Sequence, residues 1–193
     1  MKKRTARSPA RPSARQRILD TADRLFYAEG LRAVGIDRII AEAEVAKMTL
    51  YNHFKSKDDL ITAVLQQREA DVVALFEKNI DRHERQGKDR LEAFFLALRD
   101  WFRSRGYRGC SFINATVELA DQTHPGTQFA QAHKRRFFDM IRQIVVASRG
   151  EQAKRLVPAV CLIVEGAIVR SVMGDRAKAA DTAWEAVSQL LPE

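Results

Sequence analysis

Lys47, Met48, Thr49, Tyr51, Asn52, His53, Lys55 and Lys57 fall within one short stretch of the chain. Ammonium, hydroxyl, amide and imidazole groups at that density can donate to phosphate oxygens and read the donor and acceptor pattern of base edges. Catalysis has no comparable set. There is no glycine-rich nucleotide loop, zinc-binding helix motif or nucleophile elbow, and no Ser, His and Asp sit at a spacing that argues for a triad. The four histidines lack close partners of other ligand types, so neither a metal nor another cofactor is expected. Cys110 and Cys161 are too few for a disulfide framework and read as buried, reduced thiols. The chemistry is recognition, and the chain is not expected to be an enzyme.

Charge placement points the same way. The net charge is +8, and Lys2, Lys3, Arg4, Arg7, Arg11, Arg15 and Arg17 give residues 1–17 seven positive charges with no acid, leaving a nearly neutral remainder. A cationic arm suits a polyanion, because each neutralised phosphate releases condensed counterions; read alone, it suits equally a solvated tail. A composition 46% hydrophobic and 30% charged fits a globular body. The longest uncharged apolar run, Val157 to Val164, is too short to span a bilayer, and Asp20, Asp23 and Arg24 break the stretch from Ile18 to Phe26 that a signal peptide needs apolar. The expectation is a cytoplasmic protein without a membrane partner.

The elements that position the polar stretch are all helical. Apolar residues recur every three or four positions, and no alternating run is long enough for a strand. Ser13 caps a first helix that Gly30 ends; short helices follow at Ile36 to Ala43 and Lys47 to His53, separated by a tight corner. Ile36, Ile39, Ile40, Ala43, Leu50 and Phe54 face inward. Ser56 starts a fourth helix running to about Asn79, with Asp58 and Asp59 where the free amides and the dipole favour them. Further helices are expected at Asp89 to Arg103, Ser111 to Asp121, Thr127 to Ala147, Val157 to Met173 and Lys178 to Leu191, with a start or a bend at Pro158. Two short helices cannot bury their apolar faces alone, so the first and fourth must supply the missing surface. The second short helix then keeps a polar side free, and a helix of that width enters a major groove.

These residues resemble the tetracycline-repressor (TetR) family of bacterial regulators. The resemblance rests on Gly30, Ile36, Ile39, Ile40, Ala41, Ala43 and Val45, followed by Thr49 to Leu60, which reads TLYNHFKSKDDL. It implies an all-α fold, with an N-terminal three-helix helix-turn-helix module joined to a C-terminal helical domain for effector binding and dimerisation. The corresponding division is a basic arm at 1–12, a DNA-binding domain at 13–60 and the effector and dimer domain at 61–193. By the same resemblance Thr49 and Tyr51 contact phosphates or base edges, and His53 and Lys57 contact phosphates. Lys47, Met48 and Asn52 carry sequence preference, while Arg38 and the arm add non-specific grip. Glu44 departs from the pattern, standing where the family usually has glycine at a corner that commonly needs positive φ. Met48 also replaces a frequent glycine or proline.

The C-terminal half must then pair two subunits and sense a ligand. By resemblance the last two long helices form a four-helix bundle with a second copy, and Ile163, Ala167, Ile168, Ala180, Trp184 and Val187 are the expected interface. Phe94, Leu98, Trp101, Phe102 and Phe137 make an apolar pocket or ordinary core, the aromatic residues suiting either. Cys110, Asn114, Glu118 and His133 are polar or polarizable residues that line the pocket or bridge helices. The implied partners are double-stranded operator DNA, a partly apolar small molecule and a second copy of the chain. The implied mechanism is a population shift: the ligand favours an arrangement whose reading helices no longer match successive grooves, and repression follows from the family alone.

Overall fold

In the computed structural model, residues 12–174 and 176–191 are described; of the expected basic arm, Lys2, Lys3, Arg4, Arg7 and Arg11 lie outside them. The described residues form α1 (Ala14–Glu29), α2 (Ile36–Ala43), α3 (Lys47–His53), α4 (Lys57–Glu84), α5 (Arg90–Arg103), α6 (Ser111–Leu119), α7 (Pro125–Arg149), α8 (Val157–Met173) and α9 (Arg176–Leu190). No strand occurs among them.

Local chemistry sets the boundaries. Ser13 Oγ accepts the Gln16 amide at the start of α1, and Gly30 ends that helix at φ 100°. Ser56 Oγ accepts the Asp59 amide, and Asp89 accepts from Leu91 and Glu92. His124 Nδ1 accepts from Gly126 at the start of α7, with Pro125 in the first turn where a missing N–H costs nothing. α4 runs past its expected end, because Ile80 and His83 turn inward beneath a sequence that is otherwise charged there. His83 Nε2 meets Asp100 on α5 at 2.7 Å, satisfying a buried imidazole. α6 stops at Leu119, two residues early, where Ala120 adopts the left-handed conformation. Pro158 produces no kink: a 3-10 turn, Glu151–Leu156, leads into α8 and leaves the proline in its first turn.

The helices α1, α2 and α3 form a small head around Ile18, Ala22, Leu25, Val34, Ile39 and Leu50, each at most 1% exposed. Each large aliphatic side chain buried there contributes about 1.5–3 kcal/mol relative to exposure. Ile36 and Ile40 are only half-buried, on the flank of that core. In the body, α5 packs between α4 and α9, α7 lies against α4 and α6, and α8 lies beside α9.

The stretch Glu151–Met173 is helical throughout and, by length and composition, apolar enough to cross a bilayer. Its position in the body gives its apolar character another use. Val160, Val164 and Ile168 are buried in the core, and Glu165 pairs with Lys134 at 2.7 Å. Leu162, Val169 and Met173 stand exposed on the other side, and Val172 is exposed at its flank.

Candidate nucleic-acid interface

The reading helix is held from below and left open above. Leu50 is fully buried and Phe54 nearly so, which pins α3 to the head. The corner before it is stitched by Arg17, whose Nε donates to the Ala43 carbonyl at 3.2 Å and whose Nη2 donates to the Glu44 carbonyl at 3.1 Å. Glu44 sits at φ 53°, ψ 53°, the left-handed conformation that the sequence pattern implied there. A basic residue counted in the cationic stretch 1–17 is thus a structural clamp. Arg15 likewise lies over the Phe54 ring, 5.4 Å from its centroid.

Above this base, Met48 is 69% exposed and Tyr51, Asn52, His53 and Lys55 are exposed with it. Among the described residues, the side chains of Thr49, Tyr51, Asn52 and Lys55 make no hydrogen bond. Lys47 reaches Asp37 at 3.4 Å, both side chains being largely solvated. Such a pair is weak and easily exchanged for another anion. Lys57 is half-buried, its ammonium 5.9 Å from the Phe26 ring centroid. Burial pushes its pKa down, opposed by the nearby Asp58 and Glu118 carboxylates.

Arg38, expected to add non-specific grip, is engaged within the head. Its guanidinium is forked onto Glu29, and its Nε donates to Glu42 at 2.8 Å, while Glu42 also takes Arg24 at 2.6 Å. These two arginines and two glutamates sum to zero charge. Arg38 thus braces α1 against α2.

The expected effector residues divide. Trp101, Cys110, His133 and Phe137 do meet, around an inner cavity of about 30 Å³ that Tyr27, Arg68, Ser111 and Ile168 also line. That is room for about one water. Val72, Phe76, His133 and Phe137 also line an outer groove of about 620 Å³ between α4 and α7. His133 stacks on Phe112 with centroids 3.5 Å apart, and its Nδ1 lies 2.9 Å from Glu69. Phe94, Leu98 and Phe102 are corrected to core: all are at most 1% exposed, and the two phenylalanines pack on Phe76, Phe95, Trp101 and Tyr107. Asn114 and Glu118 face away from the inner cavity. They line a junction groove between head and body, where Glu118 Oε2 accepts the Leu31 amide at 2.5 Å.

Of the expected interface residues, Ile168, Ala180 and Val187 are corrected as well, being at most 2% exposed within a single chain. Trp184 is half-buried against Phe95. Ile163 and Ala167 line an open groove with Ala179, Thr182 and Ala186. Leu162, Val169 and Met173, which are exposed on α8, were not among the expected residues. Because α8 is apolar on both sides, spacing alone could not say which side met its own core.

An all-helical head with a short, open reading helix, carried on a separate helical body, defines the helix-turn-helix class of DNA-binding regulators. Residues 18–64 match the model described as "Bacterial regulatory proteins, tetR family", and residues 87–187 match the tetracyclin repressor-like C-terminal domain. The chain belongs to the tetR family; it is a transcriptional regulator, not an enzyme. A solved structure similar to it is the TetR-family transcriptional regulator SCO4454 from Streptomyces coelicolor. The two are 34% identical with a TM-score of 0.81, covering 93% of this chain and 96% of that one. Curated relatives include the HTH-type transcriptional repressor DhaR of Mycobacterium sp. (strain GP1), 29% identical over 111 residues, 58% of this chain and 54% of DhaR. The HTH-type transcriptional activator FasR of Mycolicibacterium smegmatis is 35% identical over 100 residues, 51% of this chain and 45% of FasR. The matches thus span about half the length of these curated relatives.

Proposed function

We propose that two copies of this chain bind a two-fold-related DNA operator through α3 and repress transcription there, and that a partly apolar small molecule in the body releases them. The observation that carries the DNA reading is the open face of α3. Thr49, Tyr51 and Asn52 keep their hydrogen-bonding groups unengaged on a helix that the fully buried Leu50 pins to the head. Tyr51, His53 and Lys57 serve as phosphate anchors, and Lys47, Met48 and Asn52 read base edges, Met48 by contact with a thymine methyl. Repression needs only occupancy of the site, whereas activation needs a further surface for polymerase. The name of DhaR favours the first and that of FasR keeps the second in view.

The second copy docks on α8 and α9. Leu162, Gly166, Val169 and Met173 follow a four-three-four spacing down one exposed side of α8, with Leu162 74% and Met173 80% exposed. That is the apolar seam a paired helix requires. The ligand enters by the groove between α4 and α7 and parts His133 from Phe137 to enlarge the inner cavity, which has no room for it otherwise. Such a protein works in the cytoplasm, where the DNA is.

Selection of bound duplexes from a random library tests this reading. An inverted repeat with half-sites about 34–36 Å apart, or a multiple of that spacing, is expected, and Tyr51→Ala should lose it while remaining folded. Enrichment of no sequence, or of a single half-site only, overturns the proposal.

A further inference from the structure

Between the head and the body lies a groove of about 670 Å³ that the DNA-binding reading does not use. Its volume is that of a small-molecule site. One wall belongs to the head, with Phe26, Tyr27, Leu31 and Arg32; the other belongs to the body, with Leu65, Arg68, Tyr107, Arg108, Ala115, Val172 and Arg176. The back of the groove is rigidly made. Tyr27 Oη donates to the Gly109 carbonyl and accepts the Arg108 amide, both at 2.8 Å. Arg68 lies 3.8 Å over the Tyr27 ring, forks onto Asp23 and reaches Ser111 at 3.2 Å. Gly30 and Gly109, both at positive φ, let the walls close: a Cβ at the first would strike Glu118, and one at the second would strike Val172, each at 2.8 Å.

Charge says what fits. Of the three carboxylates that line it, Asp23 is taken by Arg68, Glu29 by Arg38, and Glu118 by the Leu31 amide, while Arg32 reaches the Leu119 carbonyl. Arg108 and Arg176 also line the groove, yet neither has an acidic partner among the described residues; Arg176 lies only over the Tyr107 ring, 5.6 Å from its centroid. We infer that this junction groove is a second ligand site, for an organic anion whose aromatic or aliphatic body rests on Phe26, Tyr27, Leu65 and Val172 while its acid group takes Arg108 and Arg176. Two guanidiniums without acidic partners lining an otherwise largely apolar trough select a carboxylate, sulfonate or phosphate over a neutral molecule of the same shape. The groove shares Tyr27, Arg68 and Ser111 with the inner cavity, so the two sites have a common wall and occupancy of one bears on the other. A ligand here touches head and body at once, and it acts on their relative orientation without entering the body.

The site goes beyond the proposed function, and its test involves no DNA. The full-length protein is titrated with the fluorescent aromatic anion 8-anilinonaphthalene-1-sulfonate and, in parallel, with its neutral relative N-phenyl-1-naphthylamine. Arg108→Ala with Arg176→Ala should weaken sulfonate binding about thirtyfold or more, since each arginine supplies a charge-assisted contact, and leave the neutral dye unchanged. Both side chains are exposed, so folding is preserved, and circular dichroism checks this. Val172→Trp, which fills the trough from its rim, should exclude both dyes from this site, while His133→Ala in the inner cavity should not. Sulfonate affinity unchanged in the double variant, or lost equally for both dyes, overturns the inference. Failure of operator binding in the same preparation would refute the DNA reading and leave this result standing.

Discussion

Glu44→Gly offers a quantitative check on how the reading helix is set. At φ 53° and ψ 53° the Cβ of Glu44 crowds the following carbonyl, which costs a residue with a side chain about 1 kcal/mol relative to glycine. The hydrogen bonds that secure this corner go from Arg17 to the carbonyls of Ala43 and Glu44, so they survive any change of side chain. Glycine also loosens the unfolded chain, offsetting roughly half of the gain. The net effect is a stabilisation of about 0.5 kcal/mol, or roughly 1–2 °C in Tm for a chain of this length. Thermal unfolding followed by circular dichroism, at matched protein concentration, measures it. Glu44→Ala is the control: it removes the carboxylate while keeping the strained Cβ, and its Tm should sit at or below that of the parent. Ala120, at φ 53° and ψ 27°, provides a second trial in which nothing beyond a methyl group is lost, and Ala120→Gly should also gain. A Glu44→Gly protein melting at or below the Glu44→Ala control would refute the strain argument outright.

Leu162→Asp should give a folded chain that sediments as a monomer, whereas Ile168→Asp places an unpaired charge in the core, costs several kcal/mol and fails to fold; a dimeric Leu162→Asp protein would remove this side of α8 from the interface. Glu118→Ala should expose the Leu31 and Arg32 amides, lowering their protection in hydrogen exchange by about 1–2 kcal/mol; unchanged protection would mean the carboxylate is dispensable there. Burial pushes the His133 imidazole below its ordinary pKa of 6.5, with Glu69 opposing in part. The folded value therefore lies below the unfolded one, and this share of stability is present above pH 6.5 and is lost as the pH falls through the folded value. His133→Asn should lower Tm at pH 7.5 yet shrink the drop between pH 7.5 and pH 5, and an equal drop in both proteins would discount the residue.

What the sequence revealed followed from signals carried by neighbours along the chain. Ser13, Ser56 and Gly30 cap helices through residues no more than four positions away, so α1 to α3 were legible almost to the residue. The left-handed corner at Glu44 was equally local. What was hidden depended on partners brought close by folding. Arg38 reads as a free cation until Glu29 arrives across the α1–α2 corner, although Glu42, one turn on, was a visible hint. Asn114 and Glu118 look like pocket residues because they share a helix turn with one another. Nothing local shows that Glu118 reaches back to Leu31. The same limit explains Phe94, Leu98 and Phe102, since an aromatic stripe has one appearance whether it lines a cavity or fills one.

The ties between head and body narrow the routes by which a ligand could influence α3. Cys110, Ser111 and Phe112, at the start of α6, line the inner cavity, and Glu118 near its end holds the amides that follow α1. A helix of nine residues spans about 13 Å and transmits a shift along its axis with little loss. Arg68 makes a second route, since one guanidinium binds Asp23 of the head and Ser111 of α6 while lining both cavities. These contacts are polar, few and at the edge of the core, whereas the head is pinned internally by fully buried aliphatic side chains. Displacement in the body would therefore move the head as a unit before it deformed α3, which is the condition that the proposed release from two half-sites sets.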